Sequence, residues 1–395
     1  MIEILTKKRK LNNTIAIFCF FLYGILGVFI NSYIVSSDVA RLVINVLRIG
    51  TIAYLFFDAF VKCLFTKIKV SIIFYVICFL SLLVFVFSKN YQLLFLCVFI
   101  FFLMFYNSKE ILKVFISSKI IGIIIVISLA LLGVIENVEF TRYMGTKIRY
   151  SLGFIAPAIA SGYLLHVLFA DLILHKFKLS YPKIFSYLLA NFALFYLTDT
   201  RFETIIILGL LIFSAFFKKK AYYNFMVYVK RDKIVKALFI ILPILLFLAN
   251  AVLLIGYQNG IQLFISLADR MSSRVQYTIK AIDITGISLF GKKVDYESFG
   301  VVLDSSYFKV LLEYGLFGLF ILLTIYCYIM YYSIKTKKYA LFFVTLLILI
   351  ENIFSPFALD YNYNIVVLLF AKTIISRRKT YVTKKYSYNC SCNIQ

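Results

Sequence analysis

Long apolar runs separated by short polar connectors make up most of the chain. Residues 15–35, 70–87 and 234–255 are such runs, and each approaches or exceeds the roughly 20 residues that a helix needs to cross a hydrocarbon core about 30 Å thick. Backbone polar groups find no water in lipid, and the runs lack the alternation of a membrane β-barrel, so each run is predicted to be helical. The pattern predicts an all-α, polytopic membrane helical bundle of about twelve transmembrane helices in one domain over residues 1–395. The spans are predicted at 14–35, 40–61, 70–88, 91–106, 117–135, 153–174, 184–198, 202–217, 234–256, 306–332, 339–357 and 360–376.

Composition agrees with this fold class and excludes a soluble protein. Of the 395 residues, 63% are hydrophobic and 15% are charged, and the mean hydropathy is +0.95. The net charge of +24 comes from lysine and arginine clusters that recur after every second span, as the positive-inside rule predicts. Both termini are therefore predicted to be cytoplasmic, with residues 377–395 as a basic tail, and the charge requires no nucleic-acid partner.

No cofactor, metal ion or disulfide framework is expected from the sequence. Most of the 7 cysteines lie in or beside spans, and the 2 histidines, His166 and His175, share one predicted span. The chain has no glycine-rich nucleotide loop, which argues against an ATP-driven pump. It also lacks two halves with matching broken helices, which would indicate an inverted-repeat transporter.

One long polar segment, residues 257–305, is predicted to lie on the outer face. Within it, apolar residues recur every three or four positions from Phe264 to Ile279, which predicts an amphipathic helix. Arg270 and Arg274 fall one turn apart on another face of this helix, a spacing suited to the oxygens of a phosphate or pyrophosphate. The alternative is an interfacial helix whose arginines contact lipid phosphates.

Outward-facing cations are exceptions to the positive-inside bias, and they indicate an anionic ligand. On the predicted topology they are Arg142, Lys147, Arg149, Arg201, Arg270, Arg274, Lys292 and Lys293. Arg201 stands where one helix ends and the next begins, with Asp199 or Thr200 predicted to cap the second helix. Free backbone N–H groups and the guanidinium would both attract phosphate there. The alternative is a turn in which Arg201 pairs with Asp199 or Glu203.

Four further charged positions are candidates for the same site. Asp304 closes the long segment, and it is predicted either to act on a sugar hydroxyl or to cap the next helix. Lys309 and Glu313 lie four residues apart on that helix, and Glu313 is a second candidate base. Arg48 either lines a cavity that opens at the outer face of the bundle, as the other candidates do, or extends toward the outer face beside Arg41.

Two strings of residues carry a resemblance to a known family. Gly286-Ile-Ser-Leu-Phe-Gly-Lys-Lys, followed by Leu303-Asp-Ser-Ser-Tyr-Phe-Lys-Val-Leu-Leu-Glu-Tyr-Gly-Leu-Phe-Gly, resembles the Wzy-type polysaccharide polymerases, in particular the capsule and exopolysaccharide branch of Gram-positive bacteria. Leu197-Thr-Asp-Thr-Arg-Phe-Glu-Thr is similar to that family's Thr-x-Ser-Arg turn. Asp269-Arg-Met-Ser-Ser-Arg is similar to its arginine-bearing loop. The order of the spans agrees over most of the chain.

The resemblance implies repeated glycosyl transfer on the outer face of the bacterial cytoplasmic membrane. The donor would be a glycan on undecaprenyl pyrophosphate, and a flippase and a chain-length regulator would be partners, beside the membrane lipids. In such an enzyme Arg201, Arg270 and Arg274 would stabilise the leaving pyrophosphate, and Asp304, Glu313 or Glu203 would act as base. The substrate-binding residues would be Arg142, Arg149, Tyr277, Lys292, Lys293, Ser305, Tyr307, Lys309 and Arg48.

Three other functions remain open at this stage. An O-antigen-type ligase has a similar architecture, but its long loop usually carries a histidine near the position of Asp304, and this chain has no outward histidine. A lipid-linked oligosaccharide flippase would bind the same substrate without catalysis. It would not need a long external loop with an amphipathic helix. A noncatalytic membrane scaffold is the remaining alternative.

Overall fold

Fifteen α-helices account for most of the described residues, and the structure is 77% helical. The computed structural model describes residues 2–66, 68–142, 147–216, 219–270, 274–294, 296 and 303–376. The first eight helices are α1 (Ile2–Phe29), α2 (Asp38–Phe65), α3 (Ile72–Ser88), α4 (Gln92–Leu103), α5 (Ser108–Leu131), α6 (Ala158–His175), α7 (Tyr181–Thr198) and α8 (Arg201–Ala215). The others are α9 (Lys219–Arg231), α10 (Lys233–Gln258), α11 (Gln262–Arg270), α12 (Arg274–Thr285), α13 (Ser306–Thr336), α14 (Tyr339–Glu351) and α15 (Ile365–Leu369). The predicted all-helical class is confirmed.

Four short strands form two antiparallel pairs within the described residues. β1 (Lys69–Val70) pairs with β4 (Ile375–Ser376), and β2 (Glu139–Arg142) pairs with β3 (Lys147–Tyr150). The β2–β3 pair belongs to a connector that is predicted to face outward and for which the sequence predicts no secondary structure. Helix α9 was likewise not predicted, and it lies within a basic connector with Met226 and Val229 buried. Both elements are too short and too polar for the span pattern to reveal them.

Six helices of the described chain are long and apolar enough to cross a membrane. They are the Asn12–Phe29 part of α1, and helices α2, α5, α6, α10 and α13. Large apolar side chains on the helices point away from the interior of the bundle: Phe57, Phe79 and Ile124 are 62%, 60% and 58% exposed. Water would disfavour such a surface by roughly 25 cal/mol per Å² of apolar area, whereas lipid would not. These features indicate a multi-pass membrane protein; the number of spans and their orientation stay predictions.

Hydrogen bonds show which connectors share an end of the bundle. Tyr33 N donates to Gly153 O at 2.8 Å, and Arg149 Nε donates to Thr198 O at 2.7 Å. These connectors are all predicted to face outward, so we name this the outer end. At the opposite end β1 pairs with β4, among connectors that carry the lysine clusters, and we name it the basic end.

Helix α5 begins well before the predicted start of its span at residue 117. Asn107 caps it, with its side chain accepting from Lys109 N at 3.1 Å. Lys119 therefore lies in the middle of α5, where it is 1% exposed and its Nζ donates to Gly24 O at 2.8 Å. Lys119 is therefore not part of the lysine clusters of the connectors, because its side chain points into the bundle.

The last predicted span, 360–376, is not one continuous helix. Only α15, a 3₁₀ turn over Phe370–Lys372 and β4 have regular structure there. Before α15, residues 352–364 form an irregular stretch that is largely buried, which we name the break segment; Ala358, Tyr363 and Asn364 are 0% exposed. Irregular backbone at membrane depth is tolerated when protein groups satisfy it. Asn364 does this at the start of α15, since its side chain accepts from the N–H groups of Val366 and Val367.

The long outer segment packs against a break in α13. Gly315 has φ 71° and ψ −169°, which interrupts the helix. The carbonyls of Ser288 and Leu289 accept hydrogen bonds from Leu316 N and Phe317 N at 3.0 and 3.1 Å. The two strings of residues that carry the family resemblance are therefore bonded to each other.

Two helices, α11 and α12, stand where one amphipathic helix is predicted. Residues 271–273 between them lie outside the described residues. In α12, Val275, Thr278 and Ala281 are buried at three-residue spacing, as expected for an amphipathic helix. In α11, Ala268 is 1% exposed. The amphipathic pattern is thus present on both sides of the gap.

We predict that Gly315→Ala destabilises the protein. A side chain is strained at this backbone conformation by about 1–3 kcal/mol, and the new Cβ would lie 2.4 Å from both Gly291 N and Leu289 O. Thermal unfolding of the purified protein in detergent should show a clear loss of stability. Gly209→Ala is the matched control, because its Cβ would meet nothing within 4 Å and alanine favours a helix by about 1 kcal/mol. Equal melting temperatures for the two variants would contradict this role of Gly315.

Candidate functional site

An ion pair at the outer end joins the start of α12 to the start of α13. Arg274 Nε donates to Asp304 Oδ2 at 2.8 Å, with the two side chains 38% and 30% exposed. The terminal nitrogens of Arg274 have no hydrogen-bond acceptor among the described residues. Asp304 therefore fixes the direction of a guanidinium that still has donors for a ligand. The capping role considered for Asp304 is not observed, since Ser305 occupies the N-cap of α13.

Distant parts of the chain converge on this pair. The guanidinium carbon of Arg274 lies 5.9 Å from the centre of the Phe354 ring, and that ring lies 5.3 Å from the ring of Phe202. The neighbouring Glu203 is close enough to interact electrostatically with Glu351, Arg274 and Arg149. We name Arg149, Glu203, Arg274, Asp304 and Glu351 the outer cluster.

Ser305 and Arg274 line one small cavity of about 20 Å³ beside Asn250 of α10. Ser305 is 8% exposed, and its hydroxyl has no hydrogen-bond partner among the described residues. A buried hydroxyl without a partner costs about 1–3 kcal/mol, so a polar group bound here would be stabilised. The predicted contact between Ser305 and substrate stays a prediction.

Arg201 is held by its own turn. Its Nε lies 3.6 Å from Asp199 Oδ1, with the arginine side chain 52% exposed and the aspartate 2% exposed. Asp199 ends α7 in the left-handed conformation, with φ 48°, so its predicted role as the N-cap of α8 is wrong. Thr200 is that N-cap, but its hydroxyl bonds to Ser161 Oγ at 2.7 Å rather than to the helix. The pairing of Arg201 with Asp199, which was one sequence-based alternative, is observed.

The structure describes the side chains of only some of the other cations that are predicted to face outward. Arg149 belongs to the outer cluster and is held by the Thr198 carbonyl. The side chains of Arg142, Lys147 and Arg270 lie outside the described part of the structure. The predicted one-turn spacing of Arg270 and Arg274 is therefore untested.

Other predicted substrate-binding residues lie away from the outer cluster. Tyr307 is 0% exposed and its hydroxyl donates to Leu349 O at 3.2 Å, so it is a core residue, and its assignment to the site is corrected. Lys292 Nζ donates to Thr285 O at 3.0 Å, at the end of α12, where a cation stabilises the helix terminus. Tyr277 packs against the main core. Lys293 is exposed.

Glu313 and Lys309 form a separate group on α13. They interact electrostatically with each other, and Glu313 also faces Tyr296 of the long segment. Burial and the Glu313 carboxylate raise the pKa of the Tyr296 phenol, which stays protonated at neutral pH. Glu313 thus faces the long outer segment, which is bonded to the break in α13. It belongs to a different group of residues from Arg274, so it is not the candidate base at the outer cluster.

Glu351 of the outer cluster and the neighbouring His166 are buried, and neither is among the predicted site residues. His166 Nε2 lies 3.1 Å from Glu351 Oε1, and the side chains are 2% and 5% exposed. Glu351 ends the apolar run Leu346-Leu-Ile-Leu-Ile350. An ionisable residue inside such a run is a functional candidate by default, and this signal could have identified it.

Arg48 lies beneath the break segment rather than beside Arg41. Its Nη2 donates to the Tyr23 hydroxyl at 3.0 Å, and that hydroxyl donates to the hydroxyl of Tyr361 at 2.9 Å. Asp360 is within electrostatic reach of both Arg48 and Lys119. Arg41 is instead exposed, with Asp38 3.8 Å away. The alternative in which Arg48 reaches outward beside Arg41 is wrong.

Comparisons with known proteins do not identify the chain. No family model, no curated protein and no solved structure matches it. The function must therefore be argued from the residues and their geometry.

We predict that the Arg274–Asp304 pair contributes little to stability. Both side chains are partly exposed, and such pairs are worth about 0.2–1 kcal/mol. A double-mutant cycle of Arg274→Gln, Asp304→Asn and the double variant, followed by chemical unfolding in detergent, should give a coupling energy in that range. A coupling energy above about 3 kcal/mol, as for a buried pair, would show that the pair is structural.

Proposed function

We propose that the protein polymerises lipid-linked oligosaccharide repeat units into a capsular or exopolysaccharide by glycosyl transfer at its outer end. The donor is a glycan on undecaprenyl pyrophosphate in the bacterial cytoplasmic membrane. The bond between the anomeric carbon and the pyrophosphate oxygen breaks, and a bond to a hydroxyl of the incoming repeat unit forms. The electron pair of the broken bond stays on the leaving pyrophosphate.

The observation that carries this proposal is the oriented guanidinium of Arg274. Its Nε is held by Asp304 at 2.8 Å, and its other donors are available to a phosphate oxygen. Negative charge grows on the leaving phosphate in the transition state, and a preorganised donor then stabilises the transition state more than the substrate. Arg201, half exposed at the same end, is a second donor for the pyrophosphate.

The base in this proposal is Glu203 rather than Asp304. Asp304 accepts a hydrogen bond from Arg274 and orients it, so its lone pairs are partly used. Glu203 interacts with both arginines of the outer cluster and with Glu351. In this scheme it takes the proton of the attacking hydroxyl.

The lipid part of the substrate needs an apolar surface next to the outer cluster. Helix α10 offers one, since its apolar side chains Leu248, Val252 and Ile255 are 49%, 52% and 57% exposed. Asn250 and Leu254 of the same helix line the cavity that contains Arg274. A polyprenyl chain lying along α10 would bring its pyrophosphate to that cavity.

One feature favours a second candidate, a flippase for the same lipid-linked substrate. The break segment interrupts the helical bundle next to Arg48, Lys119 and Asp360. Transporters place substrate sites at interrupted helices near the middle of the membrane. In this alternative the charged groups below the break segment bind the pyrophosphate during transport and no glycosidic bond forms.

A reconstitution experiment separates these functions. Purified protein in liposomes is supplied with lipid-linked repeat units, and the products are examined on a gel. A ladder of increasing length supports the polymerase. Movement of lipid-linked material across the bilayer without a ladder supports the flippase, and transfer of a preformed chain to a different acceptor supports a ligase.

We predict that Arg274→Gln and Arg201→Ala lower the rate of chain extension. Loss of one donor to a developing anion typically costs about 10²–10³-fold in rate, so products should stop near a single unit. Arg41→Gln is the matched control, because Arg41 is an exposed arginine at the same end, 3.8 Å from Asp38, and it should extend chains normally. If either test variant makes normal polymer while folded protein is recovered, that arginine is removed from the site.

A further inference from the structure

A large basic cavity lies at the end of the bundle opposite the outer cluster. Its volume is about 550 Å³, within the range of small-molecule sites. Residues from the ends of α5, α6, α13 and α14 line it, together with residues of α9 and α15. Its lysines are Lys109, Lys176, Lys337, Lys338 and Lys372, and no carboxylate is among its lining residues. We name it the basic cleft.

Four of these lysines have no carboxylate partner among the described residues. Lys337 and Lys338 donate to the hydroxyls of Tyr223 and Tyr332 at 3.2 and 2.8 Å, and no ion pair involves Lys109 or Lys176. Other lysines near the same end are neutralised: Lys183 lies 2.9 Å from Asp171, and Lys62 lies 2.7 Å from Asp58. Within the described part of the chain these four lysines thus have no carboxylate partner, and only Lys176 and Lys337, at the C-termini of α6 and α13, have a helix end that favours a cation. Lys372 differs, since it donates to carbonyls at the end of α4.

Helix electrostatics make two of these positions unfavourable without an anion. Lys109 lies in the first turn of α5, and Lys338 is the N-cap of α14, where no side chain caps the helix. A helix N-terminus carries partial positive charge and repels a lysine there, although Glu110 in the first turn of α5 offsets part of this repulsion for Lys109. An anion between these two lysines would remove the repulsion and bind the N–H groups at the start of α14.

The positive-inside bias alone does not account for this arrangement. It concentrates lysines at one end of a bundle, but it does not direct them to a single concavity. Here they line one cavity together with Leu112, Leu341 and Leu369. A cavity lined by both cations and apolar side chains fits an amphiphile that carries phosphate.

We propose that the basic cleft binds an anion with two or more phosphate charges, such as the headgroup of an anionic phospholipid or a soluble diphosphate. Lysines provide point-charge contacts to phosphate oxygens, and basic pockets between transmembrane helices bind multiply charged lipid headgroups. This site is separate from the outer cluster, so the proposal does not depend on whether the protein transfers a glycan.

Charge-neutralised variants test the proposal. Lys109→Gln, Lys176→Gln and Lys338→Gln are combined in one protein. The control combines Lys113→Gln, Lys178→Gln and Lys335→Gln, three exposed lysines in the same region that do not line the cleft. Native mass spectrometry in detergent measures binding of cardiolipin, of phosphatidylcholine and of free pyrophosphate. Each lysine near a phosphate contributes about fivefold, so the cleft variant should bind about 100-fold more weakly than the wild type, and the control should be nearly unchanged.

A comparison of cardiolipin with free pyrophosphate distinguishes the two sources of phosphate. Cardiolipin binding that free pyrophosphate does not displace identifies a lipid site, whereas tight pyrophosphate binding that the cleft variant loses identifies a soluble ligand. The proposal is overturned if neither probe binds more tightly than phosphatidylcholine, or if both variants weaken binding equally.

A second measurement uses the wild-type protein and does not depend on how the variants fold. Lysines are acetylated with and without the bound probe, and the modified positions are read by mass spectrometry. Protection at Lys109, Lys176 and Lys338, with none at Lys113, Lys178 and Lys335, supports the basic cleft. Uniform modification of all six lysines excludes it.

Discussion

The irregular break segment, buried in an apolar bundle, is the constraint on which the rest of the structure depends. Its backbone makes only a few turn hydrogen bonds of its own, such as that from Asn364 N to Asp360 O at 2.8 Å, and the surrounding helices supply further partners. Ser306 Oγ donates to the Ser355 carbonyl and accepts from Ala358 N at 2.9 Å. Asn364 Nδ2 donates to Ala358 O and to the Tyr326 hydroxyl at 2.9 and 2.6 Å. These bonds attach the break segment to α13 at Ser306 and at Tyr326.

The same attachment positions the outer cluster. Ser306 N donates to Asn352 O at 2.9 Å, so the start of α13 is bonded to the residue directly after Glu351. Asp304 lies two residues before Ser306 and holds Arg274. Phe354, from the break segment, lies under the Arg274 guanidinium. The geometry of Arg274 is therefore set by the break segment as well as by the long outer segment that contains it.

Sequence patterns predicted those features that depend on local hydrophobicity. They predicted the apolar helices, the long outer segment and its amphipathic helices. They missed the break segment, because a short apolar run such as 365–371 looks the same whether it belongs to a long helix or to a five-residue one. The polar residues Asp360, Asn362 and Asn364 before that run were the available signal.

The site was predictable only in part for a related reason. Arg274 and Asp304 stood out as charged residues in a polar segment, but their 2.8 Å contact joins positions 30 residues apart. The place of Glu203 and Arg149 beside them depends on how α7, α8 and β3 pack, which no local pattern contains. Tyr307 follows Asp304 closely in sequence, yet it enters the core because α13 begins at Ser306 and turns it toward α14.

Buried charges lie on two sides of the break segment, and aromatic rings connect them. Below it, Lys119 lies 5.5 Å from the centre of the Tyr163 ring, and Tyr163 stacks on Tyr363 at 4.0 Å. The Tyr363 ring is 5.8 Å from the ring of His166, which faces Glu351. Removing a charge from an interior of low dielectric leaves its neighbours uncompensated. Substitutions below the break segment would therefore change the electrostatics of the outer cluster through the groups that lie between them. The effect of such a substitution on either proposed activity depends on the charged residues on both sides of the break segment.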